Sequence, residues 1–192
     1  MKKLLIAIVL VFTIISCSKP IETNAQNPIC LVTMRFSKEK IWWYDASYCK
    51  IDYPGGDVPN GGACVDVPIR VLRAAVGMDL QKLIHEDMVA HFKEYPAKWG
   101  AIAPDANIDH RRVPNIMKYF ERMGYSKPIN RNTNFYEDGD IICWVLDGGA
   151  THIGILLNKD GDVYHNIGPM AKVDMDFLFQ YPIIGHYRIP LH

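Results

Sequence analysis

The sequence predicts an α+β domain, with helices first and an antiparallel sheet after them. Between about residues 64 and 123, apolar side chains recur at the spacing of amphipathic helices. In the last third the period changes: "DGDIICWVL", "THIGILLN", "DVYHNIG" and "IIGHYRIP" alternate or run apolar over short lengths. "DGGA" and "KDGD" lie between the first three of these runs, and both are hairpin signals. Helices grouped before a hairpin-connected sheet define the α+β class.

The chain begins with Lys2 and Lys3 followed by "LLIAIVLVFTII". That run is shorter than the roughly 20 residues of a membrane span, and a small residue, Ser16, precedes Cys17; residues 1–17 therefore read as a signal peptide. "IISC" resembles a loose bacterial lipobox, so Cys17 is expected to be acylated; the alternative is an ordinary signal with an incidental cysteine. Residues 18–28 are polar and aperiodic, as a tether would be. Residues 29–192 then form one domain, long enough for a real core. The expected location is the bacterial cell envelope, facing periplasm or exterior and held to a membrane through the lipid anchor only.

Within the domain, "NPICLVTMRFSKEKIWWYDASY" is aromatic and mixed, readable as helix, strand or both. "YPGGDVPNGGA" (53–63) is turn-forming throughout. A helix from about Cys64 to Val76 follows, with Ile69, Leu72 and Val76 on one face, Pro68 tolerated in the first turn and Gly77 as C-cap. "DLQKLIHEDMVAHF" is the second helix, with Leu80, Leu83, Ile84, Val89 and Phe92 at helical spacing. "YPAKWGAIAPDANIDHRRVP" reads as a long polar-aromatic loop of the functional kind. Pro114 opens a third helix, closed by Gly124. Trp42, Trp43, Tyr53 and Trp99 are expected to pack in the core, with a place along a cleft as the alternative.

The formal charge is zero, and removing Lys2 and Lys3 leaves 19 basic against 21 acidic residues. With no basic block or stripe, no nucleic-acid partner is expected. Cys30, Cys49, Cys64 and Cys143 could form two disulfides, and a Cys30–Cys49 bridge is possible. No CxxC pair occurs, and His85 and His91 stand six apart, off a common helix face. No metal and no cofactor are expected. Cys143, alternating with Ile141 and Val145, is placed as a buried strand residue.

Cys64 stands out because it follows a glycine pair and begins a helix, where a thiol loses its proton most easily. A buried or disulfide-bonded cysteine is the plainer alternative. A nucleophile of this kind needs a base, and the base needs an orienting group. His152, at the start of a strand after a hairpin turn, is the candidate base. His165 lies thirteen residues later on the neighbouring strand, where pairing across "KDGD" would bring it beside His152. Asn166 is the other candidate for that role, and because strand neighbours face opposite ways only one of the two can point at His152. Asp66 is most simply a helix-dipole partner. Its charge would raise the Cys64 pKa, so a catalytic thiol needs Asp66 turned away or paired, for example with Arg70. Asp109, His110, Arg111 and Arg112 in "NIDHRR" either form a buried ion-pair network or bind substrate carboxylates, a task suited to the planar guanidinium. "GHYR" is expected to end the last strand and brace the sheet.

"GDIICWVL…THIGILLN…DVYHNIG" resembles the C-terminal half of NlpC-type cell-wall peptidases, in the papain-like cysteine peptidase superfamily. "YPGGDVP", "CVDVPIR", "DLQKLIHEDM", "NIDHRRVPN", "GDI", "HIGI", "HNIG" and "GHYR" resemble more closely the bacterial family DUF1287, over nearly everything from Tyr53 to Arg188. The resemblance implies a papain-like (NlpC-type) fold with Cys64 as nucleophile, His152 as base and His165 as orienting residue. It further implies attack on an amide carbonyl through a thioester acyl-enzyme, with backbone N–H groups at the Cys64 helix start as oxyanion hole. The implied substrate is the peptide part of peptidoglycan, its stem peptide, whose carboxylates Asp109, His110, Arg111 and Arg112 would contact if they bind substrate rather than form the ion-pair network. Two features depart from the better-known enzymes: Ala63, not Asp, precedes Cys64, and the gap from Cys64 to His152 is longer. An acyltransferase using the same thioester is an enzymatic variant. The competing class is a non-catalytic envelope lipoprotein that binds peptidoglycan or a protein partner.

Overall fold

A computed structural model describes residues 27–191. The signal peptide, the lipidation candidate Cys17 and the tether up to residue 26 lie outside the described residues. The last two tether residues have structural roles. The Asn27 side chain accepts from Ile29 N (2.9 Å) and Cys30 N (3.3 Å), and Pro28 occupies the first turn of helix α1, Pro28–Glu39. A side-chain cap plus a proline at N1 is a strong start signal. This resolves the first half of the mixed stretch as a helix, with Ile29, Cys30 and Thr33 buried, while the aromatic second half, residues 40–48, is extended and irregular.

Helix α2 spans Asp66–Val76 and ends at Gly77, whose φ of 69° is the left-handed cap conformation. Helix α3, Leu80–His91, is capped by Asp79, and helix α4 spans Val113–Arg122. The buried faces differ from the expected ones in detail. α3 buries Leu80, Ile84 and Met88 at a strict four-residue period, while Val89 is 64% exposed. Val76 is also exposed, because α2 turns its last residue past the core.

Five strands follow: β1 Ile141–Val145, β2 Thr151–Leu156, β3 Val163–His165, β4 Lys172–Asp174 and β5 Ile183–Tyr187. All pairings are antiparallel, in the order β4-β3-β2-β1-β5. The architecture is therefore α+β. Alternation divides the sheet into two faces. Ile141, Cys143, Ile153, Ile155 and Tyr164 join the main core with α2, α3 and α4. Ile142, Trp144, Leu156 and Val163 pack instead against Phe177 and Leu178, a second and smaller core. No helix among the described residues is long and apolar enough to cross a membrane.

None of Cys30, Cys49, Cys64 and Cys143 is in a disulfide, so the possible Cys30–Cys49 bridge does not form. Cys30 is buried in α1 with its thiol toward the Leu157 carbonyl (3.6 Å), while Cys49 sits in the loop beyond Tyr48. The aromatic residues expected in the core are divided: Trp42 packs against it, whereas Trp43, Tyr53 and Trp99 are exposed.

Candidate active site

Cys64 lies two residues before α2, in a tight turn set by the glycine pair. Gly61 and Gly62 have φ of 70° and 152°, and a Cβ on either would meet Trp43 O at 2.1 Å or Asp66 Cβ at 2.8 Å. Only glycine fits at both places. The turn is laced to the 43–45 segment through Gly62 N–H to Trp43 O (2.9 Å) and Asp45 N–H to Gly62 O (3.1 Å). Asn166 completes this support by donating to Gly62 O at 2.7 Å. Asn166 thus holds the Cys64 turn, and His165 is the residue turned toward His152.

Asp66 is paired, with Arg111 rather than Arg70. Arg111 donates from Nε and Nη2 to the two carboxylate oxygens, each at 3.0 Å, with both side chains buried. Asp66 also accepts from Ala63 N at 2.6 Å, fixing the turn around Cys64. Arg70 binds Asp57 instead. Burial pushes the Cys64 thiol up to about 11, and the Asp66 charge adds to this. The helix start therefore does not yield the lowered thiol pKa expected from sequence. The N–H groups of Ile153, Val65 and Cys64 itself oppose the shift by favouring the thiolate.

The histidines come from the opposite element. The residue that pairs directly with His165 is Gly154, not His152. A Cβ at Gly154 would approach Val163 Cγ1 at 2.7 Å and His165 Cβ at 3.0 Å, so the glycine of "HIGI" makes room for the second ring. His165 reaches diagonally, its Nδ1 2.7 Å from His152 Nε2. Its own Nε2 lies 2.9 Å from Asp174 Oδ2 on β4. Lys172 Nζ is 2.9 Å from the other Asp174 oxygen. Burial tends to raise the Asp174 pKa, but the hydrogen bonds from Lys172 and His165 win and hold it below its usual value. Burial lowers both imidazoles, His152 to about 3, so neither is charged at neutral pH.

An ionised Asp174 fixes the tautomers along this chain. It accepts the hydrogen bond of His165 Nε2–H, so His165 Nδ1 is an acceptor and takes the hydrogen bond of His152 Nε2–H. His152 Nδ1 is then left with a lone pair. His152 shares a sheet face with Trp144 (ring centroids 5.9 Å apart), whereas the Cys64 sulfur meets the N–H of the next residue, Ile153. The structure therefore joins His152, His165 and Asp174 by hydrogen bonds and brings Cys64 against the same strand, with no hydrogen bond between Cys64 and His152.

Cys64 opens onto a cleft of about 380 Å³ whose walls include Tyr48, Trp99, Arg111, Arg112 and Thr151. The "NIDHRR" residues divide between architecture and cleft. Asp109 is buried and takes His85 Nδ1 (2.9 Å) and Asp105 N–H (2.8 Å). His110 is buried too, and burial lowers it to about 4. Arg111 touches the cleft but is held by Asp66, while Arg112 stacks its guanidinium 4.5 Å above the Trp99 ring.

Asp174 is the member of the candidate site that sequence reasoning missed. Its signal was slight: "KVD", a single alternating triplet between turns, pairing His165 with Lys172. His186, expected to brace the sheet, does so, buried between Asp140 Oδ2 (2.7 Å) and the Pro128 carbonyl (2.9 Å).

Among curated proteins, the chain is 49% identical over 152 residues to the uncharacterized protein YijF of Escherichia coli (strain K12), covering 76% of this chain and 73% of that protein. The family model described as "Domain of unknown function (DUF1287)" matches residues 34–189, nearly all of the described domain and every residue of the Cys64, His152, His165 and Asp174 constellation, and the chain belongs to that family.

Proposed function

We propose that this protein is a cysteine amidase or peptidase that cleaves an amide bond in the peptide part of peptidoglycan. The observation that carries the reading is the Asp174–His165–His152 chain, whose tautomers leave an acceptor lone pair on His152 Nδ1, on the strand that meets the Cys64 sulfur. A helix that starts beside a thiol and packs on an antiparallel sheet bearing the imidazoles fits a papain-like, NlpC-type fold.

The resting pair is neutral, thiol and imidazole. As the amide carbonyl enters the cleft, Sγ–H and Nδ1 close to hydrogen-bond distance, as catalytic pairs do in Michaelis complexes. Sγ attacks the carbonyl carbon while its proton passes to His152 Nδ1. The charge that this places on His152 is stabilised through His165 by Asp174. The N–H groups at Cys64 and Val65 are the candidate donors to the oxyanion. The C–N bond then breaks, His152 protonates the leaving amine, and the acyl group remains as a thioester. Water, deprotonated by His152, attacks the thioester and releases the carboxylic acid and the thiol. Lipidation at Cys17 would hold this domain at a membrane of the bacterial envelope, within reach of stem peptides.

The competing reading, a binding protein that keeps the fold without the chemistry, draws on the raised Cys64 pKa and on the missing Cys64–His152 hydrogen bond. The two readings separate when purified stem peptides are incubated with the wild type, Cys64→Ala and His152→Ala and the products are weighed by mass spectrometry. The enzyme reading expects a mass gain of one water across a cleaved amide with the wild type alone. Intact peptides retained equally by all three proteins would replace it with the binding reading.

A further inference from the structure

Arg112 differs from the other arginines around the Cys64 turn. Arg70 is held by Asp57, Arg73 by Asp79 and Arg111 by Asp66. Among the described residues, the Arg112 guanidinium has no ion pair and no hydrogen bond; its central carbon lies over the Trp99 ring, 4.5 Å from the centroid. Asp105 feels its charge, but the Asp105 oxygens are taken by Tyr48 Oη (3.1 Å), Asn107 N (2.9 Å) and Asn107 Nδ2 (2.7 Å). A guanidinium held over an indole by cation–π attraction, with its N–H groups unpartnered, can offer them to a planar acceptor.

The backbone beneath this platform is specialised. Trp99 has φ of 59°, a left-handed conformation that non-glycine residues rarely adopt, and Gly100 follows at φ of 65°. Strain of this sort persists where the surroundings hold it and gathers at ligand sites. The Arg112 carbonyl receives Asn115 N–H (2.9 Å) and Ile116 N–H (3.1 Å), so α4 anchors the arginine from below. Both Trp99 and Arg112 line the cleft that holds Cys64.

We propose that Arg112, braced on Trp99, is a carboxylate-binding residue of the Cys64 cleft, which selects substrates carrying a free carboxylate close to the scissile amide. The inference rests on the reading of Cys64 as nucleophile and adds the substrate class. Bidentate contact between the guanidinium and the carboxylate positions the acyl carbon over Sγ. Arg111 does not supply this contact, because its fork is already closed on Asp66.

Two alkylating probes of nearly equal shape isolate the effect. Iodoacetate carries a carboxylate and iodoacetamide a neutral amide. With either, Sγ attacks the methylene carbon, a C–S bond forms, iodide leaves with the C–I electron pair and the thiol proton passes to base. The rate at Cys64 is followed by peptide mass spectrometry in the full chain. The quantity read is the iodoacetate-to-iodoacetamide ratio, which cancels changes in the thiol itself. In Arg112→Gln this ratio is expected to fall about fivefold, the effect of one solvated charge pair at about 4 Å. Arg112→Lys, which keeps the charge without the planar fork, should fall between. In the wild type, the ratio should drop as salt rises from low to physiological strength. A ratio that neither Arg112→Gln nor salt alters overturns the carboxylate site. Failure of the nucleophile reading shows elsewhere, as an iodoacetamide rate that His152→Ala leaves unchanged.

Discussion

Two clusters that join buried histidines to a carboxylate lie on the same face of the sheet, and they differ in one nitrogen. At the β5–β1 end, His186 spends both ring nitrogens, on Asp140 and on the Pro128 carbonyl, and stacks on Tyr136 at 4.3 Å. Asp140 is fully engaged in turn, by Arg188 Nε (2.7 Å) and Nη2 (2.8 Å) and by Glu137 N–H (2.8 Å). At the β2–β4 end, the chain from Asp174 stops at His152, whose Nδ1 has no hydrogen-bond partner among the described residues. A closed network ties strands together, whereas an open one can accept a proton. Burial and a nearby carboxylate are common to both, so neither separates them; the unfilled acceptor on His152 is what the proposed mechanism requires.

The largest effect expected from this contrast is on turnover. His152→Ala or Cys64→Ala should reduce amide cleavage at least about 10³-fold with little change in melting temperature. His186→Ala should reverse the pattern, lowering the melting temperature and sparing the rate per folded molecule. Comparable rate losses in both histidine variants would erase the distinction. Next in size, Asp140→Asn removes a buried charge from beneath His186 and Arg188. Urea unfolding should show a loss of about 3 kcal/mol, in the range for breaking a buried pair.

Acid should separate the clusters by about 2 kcal/mol. His152 has its pKa lowered from 6.5 to about 3, so the unfolded chain binds its proton first. Stability is complete above pH 6.5 and falls as the pH drops toward 3, by about 2 kcal/mol at pH 5. His152→Gln should flatten that decline. Asp140 is also lowered: its burial raises the pKa, but bonds from Arg188 and His186 outweigh that. Its contribution is present above the ordinary carboxylate pKa and is lost only as the pH falls below it. Urea midpoints at pH 7 and pH 5 for the wild type and His152→Gln test the assignment, and parallel declines would remove it. Smallest, Asp174→Ala should cost about tenfold in cleavage rate, the scale of an outer partner that orients a working imidazole. A rate equal to wild type would reduce the chain to His152 and His165 alone.

These contrasts also mark how far the sequence could be read. α2, α3, α4 and the hairpins follow from local period and punctuation, and "CVDVPIR", "HIGI" and "HNIG" gave up Cys64, His152 and His165 because each sits near a turn-flanked end of an element, just before α2, at the start of β2 and at the end of β3. What escaped reading was non-local. Asp66 is four residues from Arg70 but pairs with Arg111, which a loop carries back across 45 positions. β4 has only three residues, too few for a period, so Asp174 was invisible until its register with His165 was known. α1 was obscured by its aromatic surroundings, and Val89 by a four-residue period that buries Met88 instead.

The brevity of β4 has a dynamic consequence. It forms the outer edge of the sheet and is bonded on one side only, to β3. Edge segments of this size open with far less free energy than the global unfolding of a domain. Peeling β4 away would carry Asp174 from His165 while the remaining sheet and the Cys64 turn stay folded, leaving His152 free to exchange tautomers. In amide hydrogen exchange, residues 172–174 should therefore lose protection well before 152–156, and the proton chain would connect and disconnect at the rate of that local breathing.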